Sequence, residues 1–284
     1  VRLLVTGAAG MLGHRVMADA RARGWDAIGV DLPDGDLTDP TAAQDLLEEH
    51  APEAVVHCAA FVDVDGAEAD EATALAVNAD ASANVAAAAA MLNARIVAVS
   101  TDYVFDGTMP SHPPRPYVES DPTAPLGAYG RTKLAGEIAI AGHNPNHAIA
   151  RTAWLFGVGG KNFCDTMLNA AASRDEVAVV TDQIGSPTWT GHLSPALLDL
   201  AAAAAVGVFH TAGGGQCSWH ELTVELYRAA GLSTRVNETT AAEFQRPAPR
   251  PAWSVLATER DETPRLPSWQ DGVAQYLNER ENGS

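Results

Sequence analysis

Thr6-Gly7-Ala8-Ala9-Gly10-Met11-Leu12-Gly13 decides the fold. It follows the apolar run 1–5 directly and opens a helical pattern, which is the strand-turn-helix context a glycine fingerprint needs before it carries meaning. Gly7 permits the tight turn, Gly10 lets the backbone approach a pyrophosphate, and Gly13 allows close packing of helix on strand. The free amides at the start of the helix, around Met11 and Leu12, offer positive potential to an anion.

Outward from this turn, apolar β-rich runs at 27–31, 54–58, 95–100 and 148–152 alternate with alanine-rich helical stretches. That is the βαβ rhythm of a parallel sheet, so the expected fold class is α/β, a doubly wound Rossmann-type sheet with a smaller C-terminal substrate-binding region. We expect a dinucleotide-binding domain over 1–153, with 177–211 returning to it, and a substrate-binding region from 154–176 and 212–284. Asp31 closes the second strand about 20 residues beyond the glycines, where a carboxylate accepts hydrogen bonds from an adenosine ribose and disfavours a 2′-phosphate. The cofactor is therefore NADPH or NADH, with the carboxylate leaning toward NADH. Asp36 and Leu37 are candidates to flank the adenine. Ala59 and Ala60 are small where a cofactor would cross the sheet edge. The proline-rich stretch 102–126 (Pro110, Pro113, Pro114, Pro116, Pro122, Pro125) reads as a flap beside the site.

The whole-chain charge sets a boundary on partners. With 18 basic and 36 acidic residues the formal net charge is −18, which repels nucleic acid and anionic membrane surfaces. A phosphate-bearing ligand must then be caught by local donors such as the glycine turn. The three scattered cysteines, Cys58, Cys164 and Cys217, make neither a disulfide framework nor a metal cluster and suit a reducing, cytoplasmic setting. The first strand is too short for a signal peptide, and no apolar run reaches membrane-spanning length. A homodimer is the default assembly on general grounds.

Tyr129-Gly130-Arg131-Thr132-Lys133 begins a helix after the prolines, and residues four apart share a helical face. The ammonium is expected to lower the Tyr129 pKa from its usual value of about 10, and it is also placed to hold a cofactor ribose. Thr101 ends the fourth strand, where ligands sit in open α/β sheets. A proton from Tyr129 and a hydride from a nicotinamide together give carbonyl/alcohol interconversion.

Three segments, the glycine turn, Ser100-Thr101-Asp102-Tyr103-Val104-Phe105-Asp106-Gly107 and Tyr129–Lys133, resemble the extended short-chain dehydrogenase/reductases and, more closely, the dTDP-4-dehydrorhamnose reductase family. The resemblance implies reduction of the 4-keto group of dTDP-4-dehydro-6-deoxy-L-mannose to dTDP-L-rhamnose, with Thr101, Tyr129 and Lys133 as the catalytic set. It further implies Val64, Tyr103 and Trp154 along the sugar and Arg250 as a partner of the nucleotide diphosphate. Some members hold Mg²⁺ between subunits with acidic residues. Here His14-Arg15 follows the turn and 185–195 carries no carboxylate, so no metal is expected. Val62 and Gly66 stand where members often have Thr and Lys. A 4,6-dehydratase is disfavoured because Asp102 is followed by Tyr103 and not by a second carboxylate. A 4-epimerase, another 4-ketoreductase and a non-catalytic subunit like that of methionine adenosyltransferase stay open.

Overall fold

The first strand, β1 (Arg2–Thr6), buries Leu3 and Val5 on one face and Leu4 on the other, all three without solvent exposure. A strand covered on both faces belongs inside a parallel sheet with helices on each side. The computed structural model describes residues 1–108, 114–244 and 246–282 and shows that arrangement. With β2 (Asp26–Val30), β3 (Ala54–His57), β4 (Arg95–Thr101), β5 (His147–Thr152) and the strand Gly207–His210 it forms a parallel sheet of six. The spatial order is Gly207–His210, β5, β4, β3, β1, β2. The order reverses between β1 and β3, and the crevice beyond their carboxyl ends is where ligands settle in such sheets.

Helices cover both faces. On one lie α1 (Met11–Ala22) and, from the second half of the chain, Thr190–Ala202, meeting the sheet through Val16, Met17, Leu193 and Leu197. The other carries α2 (Pro40–His50), then α3 (Val64–Ala69) and α4 (Glu71–Leu75) as short turns, and α5 (Ala81–Met91) and α6 (Ala128–His143). Leu47, Val85 and Ile140 anchor that side, and the methyl groups of Ala86 and Ala89 let α5 lie close to the strands. Of the stretch 177–211, the helix Thr190–Ala202 and the strand Gly207–His210 join the large sheet, but Glu176–Val180 does not. It pairs in parallel with Arg235–Thr239 in a separate two-stranded sheet. Its burial alternates, Val177 and Val179 in and Ala178 out, so it has only one apolar face to offer. Much of the rest of the second half gathers around Phe156, Trp189, Leu222, Leu226 and Tyr276, while Trp253, Val255 and Leu256 pack with Val104, Phe105 and Tyr117.

The glycine turn is enforced sterically. Gly7 has φ +66°, and a Cβ there would lie 2.7 Å from the Ala59 amide at the end of β3. A Cβ on Gly13 would overlap the Gly7 carbonyl. Gly13→Ala should therefore force α1 away from the turn and cost about 1–3 kcal/mol by overpacking. Thermal unfolding and dinucleotide titration measure it, and a wild-type midpoint with wild-type affinity would refute the steric argument.

The described parts of the 102–126 segment, 102–108 and 114–126, dock on the body of the chain beside the crevice, which Asp102 helps to line. Pro110 and Pro113 lie outside the described residues. Tyr117 exchanges backbone hydrogen bonds with Val255 and Ala257 and stacks on Phe105 at 4.2 Å, while Glu119 accepts from the amides of His210 and Glu259. Docking onto 253–259 fixes the described part around Tyr117 and Glu119.

Candidate active site

The helix that carries Tyr129 and Lys133 has no cap of its own, since Gly127 precedes it. Glu68 of α3 supplies one from afar, its carboxylate accepting the Ala128 amide at 2.6 Å. A carboxylate at a helix N-terminus also complements the macrodipole. Glu71 holds Arg131 through two hydrogen bonds of 2.8 and 2.7 Å. Asn78, in a π-helical turn at Ala76–Asp80 between α4 and α5, donates to the Thr132 hydroxyl at 3.0 Å and accepts from the Phe61 amide at 2.8 Å. Beneath the helix, Glu137 receives Arg151 at 2.9 and 2.7 Å and the Ser100 hydroxyl at 2.5 Å, all buried.

These supports frame a cavity of about 840 Å³ running from the glycine turn across the ends of the strands. Its lining includes Gly7, Gly10, Met11, Leu12, Asp31, Asp36, Leu37, Ala59 and Ala60, and also Thr101, Tyr129, Lys133 and Trp154. Thus thirteen of the residues expected from sequence share one space. The Asp31 carboxylate accepts from the Ala9 amide at 2.9 Å and so pins the turn while facing the cavity. Cradle and donors fit a dinucleotide: the turn admits no side chain at Gly7 or Gly13, and the N-terminal amides of α1 receive no side-chain cap.

Val64, Tyr103 and Arg250 are not brought to that lining. Val64 begins α3, and Val62 takes the cavity position in its place. Tyr103 sets its ring edge against Tyr129 at 5.6 Å. Arg250 is held by both oxygens of Asp65, at 2.7 and 3.0 Å, with Arg246 3.8 Å from the same carboxylate. The pairing spans 185 residues, so no local pattern reveals it. Trp154 lines the cavity with φ +48° and stacks on Trp219 at 3.5 Å, which fixes the indole from behind.

Electrostatics correct one expectation. The Tyr129 pKa is pushed up to about 12, first by burial and then by the neighbouring Asp102 charge, with a Thr101 hydrogen bond opposing. The ammonium of Lys133 does not reverse this: it is itself buried, lowered to about 8, and donates to the Val99 carbonyl at 2.8 Å. Tyr129 is therefore a phenol at neutral pH, ready to give a proton and not to take one. Asp102, raised to about 6 mainly by burial, is a cavity-lining carboxyl that the sequence offered only as part of a motif. Its Oδ1 accepts the Thr101 hydroxyl at 3.0 Å.

A family model described as the RmlD substrate binding domain matches residues 1–282. The chain is a member of the RmlD family.

An RmlD relative from Mycobacterium tuberculosis, named dTDP-4-dehydrorhamnose reductase, is 43% identical over 91% of this chain and 86% of its own length. Another from Streptomyces antibioticus, named a probable dTDP-4,6-dihydroxy-2-methyloxan-3-one 4-ketoreductase, is 41% identical over 92% of this chain and 88% of its own. The crystal structure of dTDP-4-dehydrorhamnose reductase from Bacillus anthracis, solved in complex with NADP, superposes with a TM-score of 0.94 at 33% identity, covering 98% of this chain and 99% of that one. Against this RmlD background, Lys161 is the cavity residue that composition signals best, a basic side chain in an acidic protein, and Cys58 and Val62 are those it signals least. No helix among the described residues is long and apolar enough to cross a membrane.

Proposed function

We propose that the chain reduces the 4-keto group of a dTDP-4-dehydro-6-deoxy-L-sugar, dTDP-4-dehydro-6-deoxy-L-mannose, to the 4-hydroxyl of dTDP-L-rhamnose with NAD(P)H in the cytoplasm. The observation that carries this reading is that Thr101, Tyr129 and Lys133 line the same cavity that opens from the glycine turn. Gly7 and Gly10 with the amides of Met11 and Leu12 hold the pyrophosphate. Asp31 takes the adenosine ribose, Asp36 and Leu37 flank the adenine, and Ala59 and Ala60 leave room along the sheet edge. The bound dinucleotide supplies hydride to the carbonyl carbon.

Tyr129 gives its proton to the carbonyl oxygen, and Thr101 turns its hydroxyl from Asp102 to the same oxygen. Lys133 keeps one donor on the Val99 carbonyl and has others for the nicotinamide ribose. Trp154, held rigid by Trp219, borders the sugar. Tyr103 and Arg250 work from behind the wall, the first against the Tyr129 ring, the second by tying 246–251 to the helix that Val64 begins.

The loop 31–39 carries Asp31, Asp34, Asp36 and Asp39 and no Lys or Arg. A 2′-phosphate there meets only like charge, so kcat/KM should favour NADH over NADPH by about tenfold or more. Following nicotinamide absorbance with the enzymatically prepared keto sugar tests both points. No oxidation of either dinucleotide would remove the reductase reading. A preference for NADPH would remove the role given to the loop. Because the Streptomyces antibioticus relative carries a name for a different keto sugar, that substrate is the comparison to run alongside.

A further inference from the structure

Lys161 is an exposed side chain on the cavity wall, and among the described residues it has no ion pair and no side-chain hydrogen bond. The sequence has two lysines, Lys133 and Lys161, and both line this cavity. Among the described residues the other basic side chain on that wall, Lys133, is buried and tied to the Val99 carbonyl.

Its position is built and not accidental. Asn162 caps the helix Phe163–Ala171 by accepting the Asp165 amide at 2.9 Å. The same side chain donates to the Gly157 and Gly160 carbonyls at 2.9 and 3.1 Å, closing 157–162 into a tight loop. Gly159 takes φ +90° in that loop. The loop lies against the start of α1: a Cβ on Gly160 would come within 2.8 Å of the Met11 Cβ, and the Asn162 amide reaches the Met11 sulfur at 3.9 Å. Lys161 is therefore carried beside the first residue of the helix that follows the glycine turn.

We propose that Lys161 closes the pyrophosphate site from the side opposite the glycine turn, its ammonium pairing with the phosphates of a dinucleotide whose other oxygens face the amides of Met11 and Leu12. This deepens the function proposed above and rests on it. Asp31, beside the glycine turn, and Asp36 make the adenosine side of the cavity acidic, so a cation beside Met11 helps fix which way an anionic ligand lies. A charge-assisted hydrogen bond of this kind also supplies the attraction that a net charge of −18 denies at long range.

The test is direct binding, by calorimetry, of ADP-ribose, which has the pyrophosphate but neither nicotinamide nor 2′-phosphate, with adenosine as control. Lys161→Met and Lys161→Gln should weaken ADP-ribose and NADH about tenfold or more, and leave adenosine unchanged. Lys161→Arg should restore most of the loss, and the wild-type affinity should fall more steeply with salt than that of the Met variant. Unchanged ADP-ribose affinity in both neutral variants would overturn the proposal. So would a loss confined to NADPH, which would place the lysine at a 2′-phosphate, or one confined to the KM of the sugar nucleotide, which would place it at the substrate's diphosphate. If the wild-type protein binds no ADP-ribose, the dinucleotide reading itself falls and this inference with it.

Discussion

Tyr129→Phe is expected to lower kcat by about 10²–10⁴-fold while NAD(P)H affinity stays within a few-fold of wild type. The substitution removes one oxygen and keeps the ring, so the packing against Tyr103 survives. Burial and the Asp102 charge hold the phenol up at about 12, so the acid form is present throughout the neutral range. The alkaline limb of the reduction should then come from Lys133, at about 8: its charge is present below that pH and lost above it. Steady-state rates from pH 6 to 10, with fluorescence titration of the dinucleotide, separate these effects. Near-normal turnover in the Phe variant would assign the proton to another group, with Asp102 the next nearest acid.

Glu137→Ala should be the most destabilising change of a single side chain in the site region. Glu137 and Arg151 are only 6% and 5% exposed, and among the described residues one buried guanidinium nitrogen, Nη1, has no hydrogen-bond partner. Removing the carboxylate strands a buried cation, for which about 3–5 kcal/mol is typical. Chemical denaturation measures the loss. The double variant Glu137→Met with Arg151→Met should recover most of it, because the desolvation of both charges disappears together. A single-variant loss below about 1 kcal/mol would mean that water reaches the pair, contrary to the burial argument.

The local parts of this design were legible in the sequence. Each of the five strands read from 1–152 falls within a residue of where β1 to β5 begin and end; β1, β3, β4 and β5, buried on both faces, write themselves as apolar runs, and β2, at the sheet edge, shows only a short one. Glycine spacing placed the turn, and the helical period placed Tyr129 and Lys133 on one face. What escaped was long-range. The Asp65 clasp on Arg250, the Glu68 cap on α6 and the stacking of Trp154 on Trp219 each join residues 60 or more positions apart. The direction of the Tyr129 shift was missed for the same reason: proximity of a lysine is visible in a heptad, but the depth of burial that outweighs it belongs to the folded molecule.

The strand Gly207–His210 completes the large sheet only after the chain has made its excursion through 154–206. Until residue 210 leaves the ribosome, β5 has an open edge, and the face later covered by Leu193, Leu197 and Phe209 is bare. The first five strands thus wait on residues 154–210 during synthesis, and a cut after β5 would leave the large sheet without its sixth strand.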